Sequence, residues 1–246
     1  GQRCYWKVRV WDRDGKASDW SEGAFWEMGP GSDKDWQAQW ITDGKPLPSS
    51  DADFYREDPA PVFRKVFELD GAVKQARLYI SGIGYFEAKL NGAKVGDHQL
   101  DPGWTMYAKR VPYCSFDVTG MLKADRNDLS AMVGNGWFNP MPLKMWGSIN
   151  LRDRLYVGRP RLIARLDVEL ADGTKQSIVT DESWQVAEGP IRFNSVYLGE
   201  IYDARREVIA ENAWKKAALA EQPVGELVSQ HQPPIRIRST VKPVEI

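Results

Sequence analysis

Hydrophobic and polar positions alternate with a period of two through most of this chain, and turn residues cut the alternation at short intervals. The pattern is densest from Gln75 to Asn139. Leu78 and Ile80 mark one strand over Arg77–Ser81, and Gly82 and Gly84 break it, as a bulge would. Tyr85–Leu90 follows, and Asn91-Gly92 then predicts a tight hairpin, because both residues tolerate the positive φ that such turns need. Lys94–Gly96 returns, and Asp101-Pro102-Gly103-Trp104 is a turn that presents Trp104. Val111–Val118 is the next strand, Thr119–Leu122 a single helical turn, and Leu129–Val133 a buried strand ending at Gly134-Asn135-Gly136-Trp137-Phe138-Asn139-Pro140. Further strands are expected at Arg161–Leu170, Gln176–Thr180, Trp184–Val186, Gly189–Ile191 and Gly199–Arg205, with a short helical piece at Glu211–Lys216. Many short strands with frequent turns predict an all-β fold, an antiparallel jelly-roll-like β-sandwich.

The front of the chain has its own pattern. Tyr5, Lys7, Arg9 and Trp11 alternate with Trp6, Val8 and Val10, and a second strand over Ser21–Met28 pairs back. The turn between them, Asp12-Arg13-Asp14-Gly15, has the Asp-x-Asp-Gly form but not the distal Glu of a calcium loop, so it reads as turn chemistry. A lone hairpin is not independently stable, so this one is expected to be the end of a larger module. Gly29–Asp35 reads as a linker, and Trp36–Ile41 as an apolar strap that docks it. Gly44–Pro61 is a loop without periodicity, and Val62–Leu69 is the first strong strand of the main body. The expected organisation is a hairpin over residues 1–29, linker and strap over 30–61, sandwich over 62–232, and an exit strand over 233–246.

Composition narrows the function. The 246 residues can bury a sizeable core without help from disulfides or metal. A net charge of −1 gives no reason to expect nucleic acid or a membrane as partner, and there is neither a membrane-length apolar run nor a signal peptide. Cys4 and Cys114 allow either one disulfide or two free buried thiols. The 11 Trp fill β-cores or stack on sugar rings.

Three stretches, YISGIGYFEAKLNGAKVGDHQLDPGWTMYAKRVPYCSFDVT, LSAMVGNGWFNP and GPIRFNSVYLGEIYDAR, resemble in order and spacing the amino-terminal sandwich of bacterial α-L-rhamnosidases, the inverting glycoside hydrolases of family 78. The resemblance runs from about Trp36 to the end, and the front hairpin resembles the closing strands of a fibronectin type III-like module of the immunoglobulin kind. It implies that hydrolysis belongs to an (α/α) barrel that this sequence lacks, so the chain alone is expected to be non-catalytic. Its implied partners are that missing barrel catalytic domain and a rhamnose-containing glycan, with no nucleic acid and no membrane. The implied location is periplasmic or extracellular. A free-standing carbohydrate-binding module or lectin, and a purely structural interaction module, are the alternatives.

Some sandwiches of this resemblance hold a sugar through calcium, a cation that takes oxygen ligands. On that reading Asn91, Asp101, Trp104, Asn135, Trp137 and Asn139 are the carbohydrate-binding candidates, and Asp97 and Asn139 the calcium ligands. Asn91 and Asn135 also suit turns beside Gly92 and Gly136. Leu90 stands where calcium-binding relatives carry an acid. Trp104 and Trp137 serve either as sugar platforms or as plugs that dock the barrel, and Trp146 in its long loop is expected to be exposed. Glu200, Asp203 and Arg205 read as an ion-paired loop brace rather than a catalytic set, and His98 and His231 as too isolated for a metal cluster.

Overall fold

The structure, a computed structural model, describes residues 3–145 and 149–242. Trp146 lies outside them. The chain forms two compact units, residues 1–36 and 37–246.

In the first unit, β1 (Arg3–Trp6) pairs antiparallel with β2 (Ala24–Glu27). The expected strand over Tyr5–Trp11 stops at Trp6 as regular β because serines take over the bonding. Val8 N donates to Ser21 Oγ at 3.0 Å and Val10 N to Ser18 Oγ at 3.1 Å. Asp12 closes the turn, accepting from Asp14 N and Lys16 N, with Gly15 at φ 79°. Arg9 lies between Trp11 and Trp20, its guanidinium 4.8 and 4.9 Å from the two rings, a cation–π ladder along the hairpin.

In the second unit two sheets carry the core. The strands in chain order are β3 (Ile41–Thr42), β4 (Pro61–Glu68), β5 (Val73–Ile83), β6 (Tyr85–Leu90), β7 (Ala93–Lys94), β8 (His98–Gln99), β9 (Arg110–Asp117) and β10 (Arg126–Gly134). After β11 (Lys144–Met145) and β12 (Ile149–Asn150) come β13 (Arg161–Leu170), β14 (Lys175–Val179), β15 (Gln185–Glu188), β16 (Ile191–Ser195) and β17 (Gly199–Tyr202). The last are β18 (Lys215–Lys216), β19 (Ala218–Leu219), β20 (Glu226–Ser229) and β21 (Ile235–Arg236). One sheet runs β18-β15-β4-β10-β6-β7. The other runs β19-β3-β13-β5-β9-β20, with β14 also on β13. All pairings are antiparallel except β20 on β9, which is parallel. The fold is therefore the expected β-sandwich.

Alternation decides which side chains meet. Leu166 lies opposite Leu78, and Ile80 opposite Cys114, in one sheet. Ala131 lies between Phe63 and Ala88 in the other. These residues belong to one buried cluster with Phe116, Leu129, Val133 and Trp184. Fully burying a large apolar side chain of this kind stabilises by about 1.5–3 kcal/mol.

Two departures from the sequence reading matter for the site. Ile41, read as the end of a strap, is a fully buried strand residue held by Leu162 and Leu219. The loop behind it is pinned by Arg159, which pairs with both Asp43 and Asp58. The exit strand is also short: only Ile235–Arg236 pairs, and its partner is β8. Among the described residues no helix is long and apolar enough to cross a membrane.

Candidate functional site

Two loops build an aromatic groove. The turn after Asp101 carries Trp104, and the Gly134–Pro140 loop carries Trp137. Their rings stack at 5.0 Å with 26° between planes, and Trp137 meets Tyr197 edge-on at 5.7 Å. One face of Trp104 is thus spent on Trp137, yet the residue stays 44% exposed. Beside it opens a groove of about 460 Å³ lined by Trp104, Thr105, Tyr107, Trp137, Arg154 and Tyr156, with Met106, Ala108 and Leu155. Tyr107 is buried, and its hydroxyl has no partner among the described residues. Burial raises its pKa well above that of a free tyrosine, so it stays protonated and able to donate. No carboxylate lines this groove.

The Gly134–Pro140 loop is held from below. Asn135 N donates to Asn194 Oδ1 at 2.6 Å, and Asn135 Nδ2 to the Asn194 carbonyl at 3.1 Å. Asn139 Nδ2 donates to Asn135 Oδ1 at 2.9 Å, while Arg152 Nη1 donates to Asn139 Oδ1 at 3.0 Å. The cavity beside this network holds only about 20 Å³, room for a water rather than a sugar. Asn135 and Asn139 therefore act as the frame under Trp137.

The remaining candidates are also spoken for. Asn91, at φ 53°, donates to the Met121 carbonyl and to Asn127 Oδ1 and accepts from Asp128 N, so its amide braces the hairpin. Asp97 accepts from Arg236 Nε at 2.7 Å, and that bond holds its carboxyl below the usual range. Asp101 is buried and takes His98 Nδ1 at 2.7 Å. Asp203 and Arg205 form a two-pronged pair, both contacts 2.8 Å, and the arginine lowers the Asp203 pKa to about 2. The brace is as expected, but Asp203 caps the turn Ala204–Arg206 instead of lying on an extended strand.

Calcium does not fit these donors. It needs 6–8 oxygens, and the oxygens of Asp97 and Asn139 already face the guanidinium groups of Arg236 and Arg152. A divalent ion at either place would sit against a fixed positive charge. The donors that do converge are different in kind: His98, Asp101 and Cys114 bring one N, one O and one S within 4.8 Å of each other. His98 is thus not isolated. His231 is exposed and lies outside this group. Both cysteines are free, and Cys114 is buried. Burial first, then the Asp101 charge, raises the Cys114 pKa, so its sulfur is a poor nucleophile.

Fold and site together define an all-β module that offers an open aromatic surface, not a pocket with acids facing across it. The chain belongs to the α-L-rhamnosidase N-terminal domain family, which matches residues 71–239. Residues 1–32 match the Rha78A-like N-terminal immunoglobulin domain. An α-L-rhamnosidase from Formosa agariphila is 38% identical over 221 residues, which are 84% of this chain and 23% of that protein. The α-L-rhamnosidase structure from Dictyoglumus thermophilum superposes with a TM-score of 0.80 at 37% identity, covering 99% of this chain and 28% of that one. The native rhamnosidase structure from Aspergillus terreus gives 0.82 at 31% identity, over 96% of this chain and 27% of that one. The chain thus spans about a quarter of the length of these relatives.

Sequence reading found Trp104 and Trp137 because each follows a turn glycine. It missed Tyr107, Arg154 and Tyr156, which reach the groove from loops with no periodic signal. It also missed the grouping of Cys114 with His98 and Asp101, because only the fold brings β9 beside the β8 turn.

Proposed function

We propose that this chain is a non-catalytic accessory sandwich of an α-L-rhamnosidase that acts on terminal α-L-rhamnosides of plant or bacterial glycans, and that its Trp104 groove holds a rhamnose-containing glycan. The observation that carries the binding part is the half-exposed Trp104 face beside a groove with an unspent Tyr107 hydroxyl. A sugar ring offers apolar C–H faces for stacking and hydroxyls for such a donor. The lack of carboxylates in the groove supports the non-catalytic part, because an inverting pair needs two acids about 6.5–9.5 Å apart across the sugar. Glycan polymers as substrates would place the protein in the periplasm or outside the cell.

The apolar rim favours a second reading. Leu100 and Met106 are exposed near Trp104 in sequence, and a groove of this kind also suits the docking of a catalytic barrel. Calorimetric titration with L-rhamnose and a rhamnose-terminated oligosaccharide separates the two. Binding by the unaltered chain, reduced at least tenfold in Trp104→Ala and unchanged by calcium or a chelator, is the expected result. Absence of heat with both sugars would leave the groove to barrel docking alone.

A further inference from the structure

We propose that His98, Asp101 and Cys114 form a zinc site inside the sandwich, with Asp97 orienting the histidine. The three ligand atoms lie within 4.8 Å of one another and come from places the fold holds firmly. Cys114 sits in the central strand β9, opposite Ile80 of β5. Asp101 is fixed by its own backbone, whose carbonyl accepts from Phe86 N at 2.7 Å. The His98 ring packs on Phe116 at 5.1 Å, and β8 is paired to β21. Gln230 Oε1 lies 3.5 Å from the Cys114 sulfur and offers a fourth donor.

The chemistry of this set selects zinc. A sulfur, an imidazole nitrogen and a carboxylate oxygen are zinc ligands in tetrahedral sites, whereas calcium and magnesium take oxygen. One thiolate and one carboxylate balance the two positive charges, so the filled site is neutral, as its burial requires. A tetrahedral zinc would hold these atoms about 3.3–3.6 Å apart. The His98 Nδ1–Asp101 Oδ2 contact of 2.7 Å therefore opens by a fraction of an ångström on binding.

The second shell is also present. Arg236 Nη2 lies 3.2 Å from His98 Nε2, so Nε2 accepts there and Nδ1–H donates to Asp101. On zinc binding the imidazole keeps its single proton but moves it to Nε2, freeing Nδ1 for the metal. That new N–H faces Asp97 Oδ1, 3.7 Å away, while the half-exposed Arg236 shifts aside. A carboxylate behind a zinc-bound histidine is the usual orienting partner. The Cys114 sulfur exchanges its proton for the metal and releases that proton to solvent. No oxidant or further reactant is needed.

The test uses the untagged chain, stripped with a chelator and then titrated with zinc chloride or cobalt chloride. One metal per chain is expected, with about one proton released per zinc, a rise in melting temperature, and for cobalt a thiolate charge-transfer band with tetrahedral visible bands. Cys114→Ser should lose the charge-transfer band, and His98→Gln the melting shift, with both variants folded by circular dichroism. Asp97→Asn, at an exposed position, should weaken zinc by about 10–100-fold. Calcium and magnesium should leave the melting temperature unchanged. No zinc-dependent shift in the unaltered chain, or a cobalt spectrum that survives in Cys114→Ser, would overturn the proposal.

Discussion

Replacing Arg159 with alanine should lower the unfolding free energy by about 3–5 kcal/mol, the usual cost of removing one member of a buried ion pair. Arg159 is 8% exposed and reaches two carboxylates at once. Its Nε also lies 3.3 Å from Asp43 Oδ1, and its Nη2 3.2 Å from Asp58 Oδ1. Asp43 is nearly as buried, so water cannot easily replace the guanidinium there. Lys45 remains for Asp58 at 3.6 Å, but its ammonium also serves Glu188. The expected drop in melting temperature is on the order of 10 °C for a unit of this size. Arg159→Lys should fall between the two, because one ammonium cannot make the forked contacts. The segment from β3 to β4 should loosen first, seen as faster amide exchange over Gly44–Pro59 than over β5 or β13. A loss below about 1 kcal/mol, the worth of a surface pair, would show that the triad is not a fastening of this loop.

Gly84→Ala should cost more than about 3 kcal/mol or prevent folding altogether. Gly84 has φ 118°, a region open in practice only to glycine. A Cβ there would also lie 1.8 Å from the Gly134 carbonyl oxygen. That carbonyl belongs to the end of β10, and the next loop carries Trp137. Gly136, at φ 47°, meets the Gly84 backbone in the same close approach, at 2.8 Å from its own missing Cβ. The substitution therefore pushes on the frame of the aromatic groove as well as on the sheet. Gly92→Ala is the informative control. Its φ is 82°, but nothing lies within 4 Å of the added carbon, so only the conformational cost of about 1 kcal/mol applies. Urea unfolding of both variants measures the difference. Equal losses would mean that the close approach to Gly134 relaxes freely.

Local features were legible in the sequence and long-range ones were not. Asn91-Gly92 announces its hairpin because the turn depends on two adjacent residues, and both have the positive φ that the pattern requires. β13 and β10 were readable because alternate burial follows directly from alternate polarity along each strand. Ile41–Thr42, His98–Gln99 and Ala218–Leu219 are two-residue strands, too short for any period, and they exist because distant partners bond to them. Glu211–Lys216 splits into the short helical turn Glu211–Ala213 and strand residues that pair with β15, a choice made by Gln185 and Val186 and not by local preference. The same limit governed the site. Turn glycines pointed to Trp104 and Trp137, but polar candidates could not be sorted from sequence. Whether Asn91, Asn135 or Asn139 has a free amide depends on Asn127, Asn194 and Arg152, which lie far along the chain.

The claim that this chain is accessory rather than catalytic is tested most directly by turnover. The purified chain, shown to be folded by circular dichroism, is incubated with an aryl α-L-rhamnoside, and release of the aryl alcohol is followed against a buffer blank. No release above the blank is predicted, since no carboxylate borders the aromatic groove. Saturable turnover by the chain alone would contradict the account.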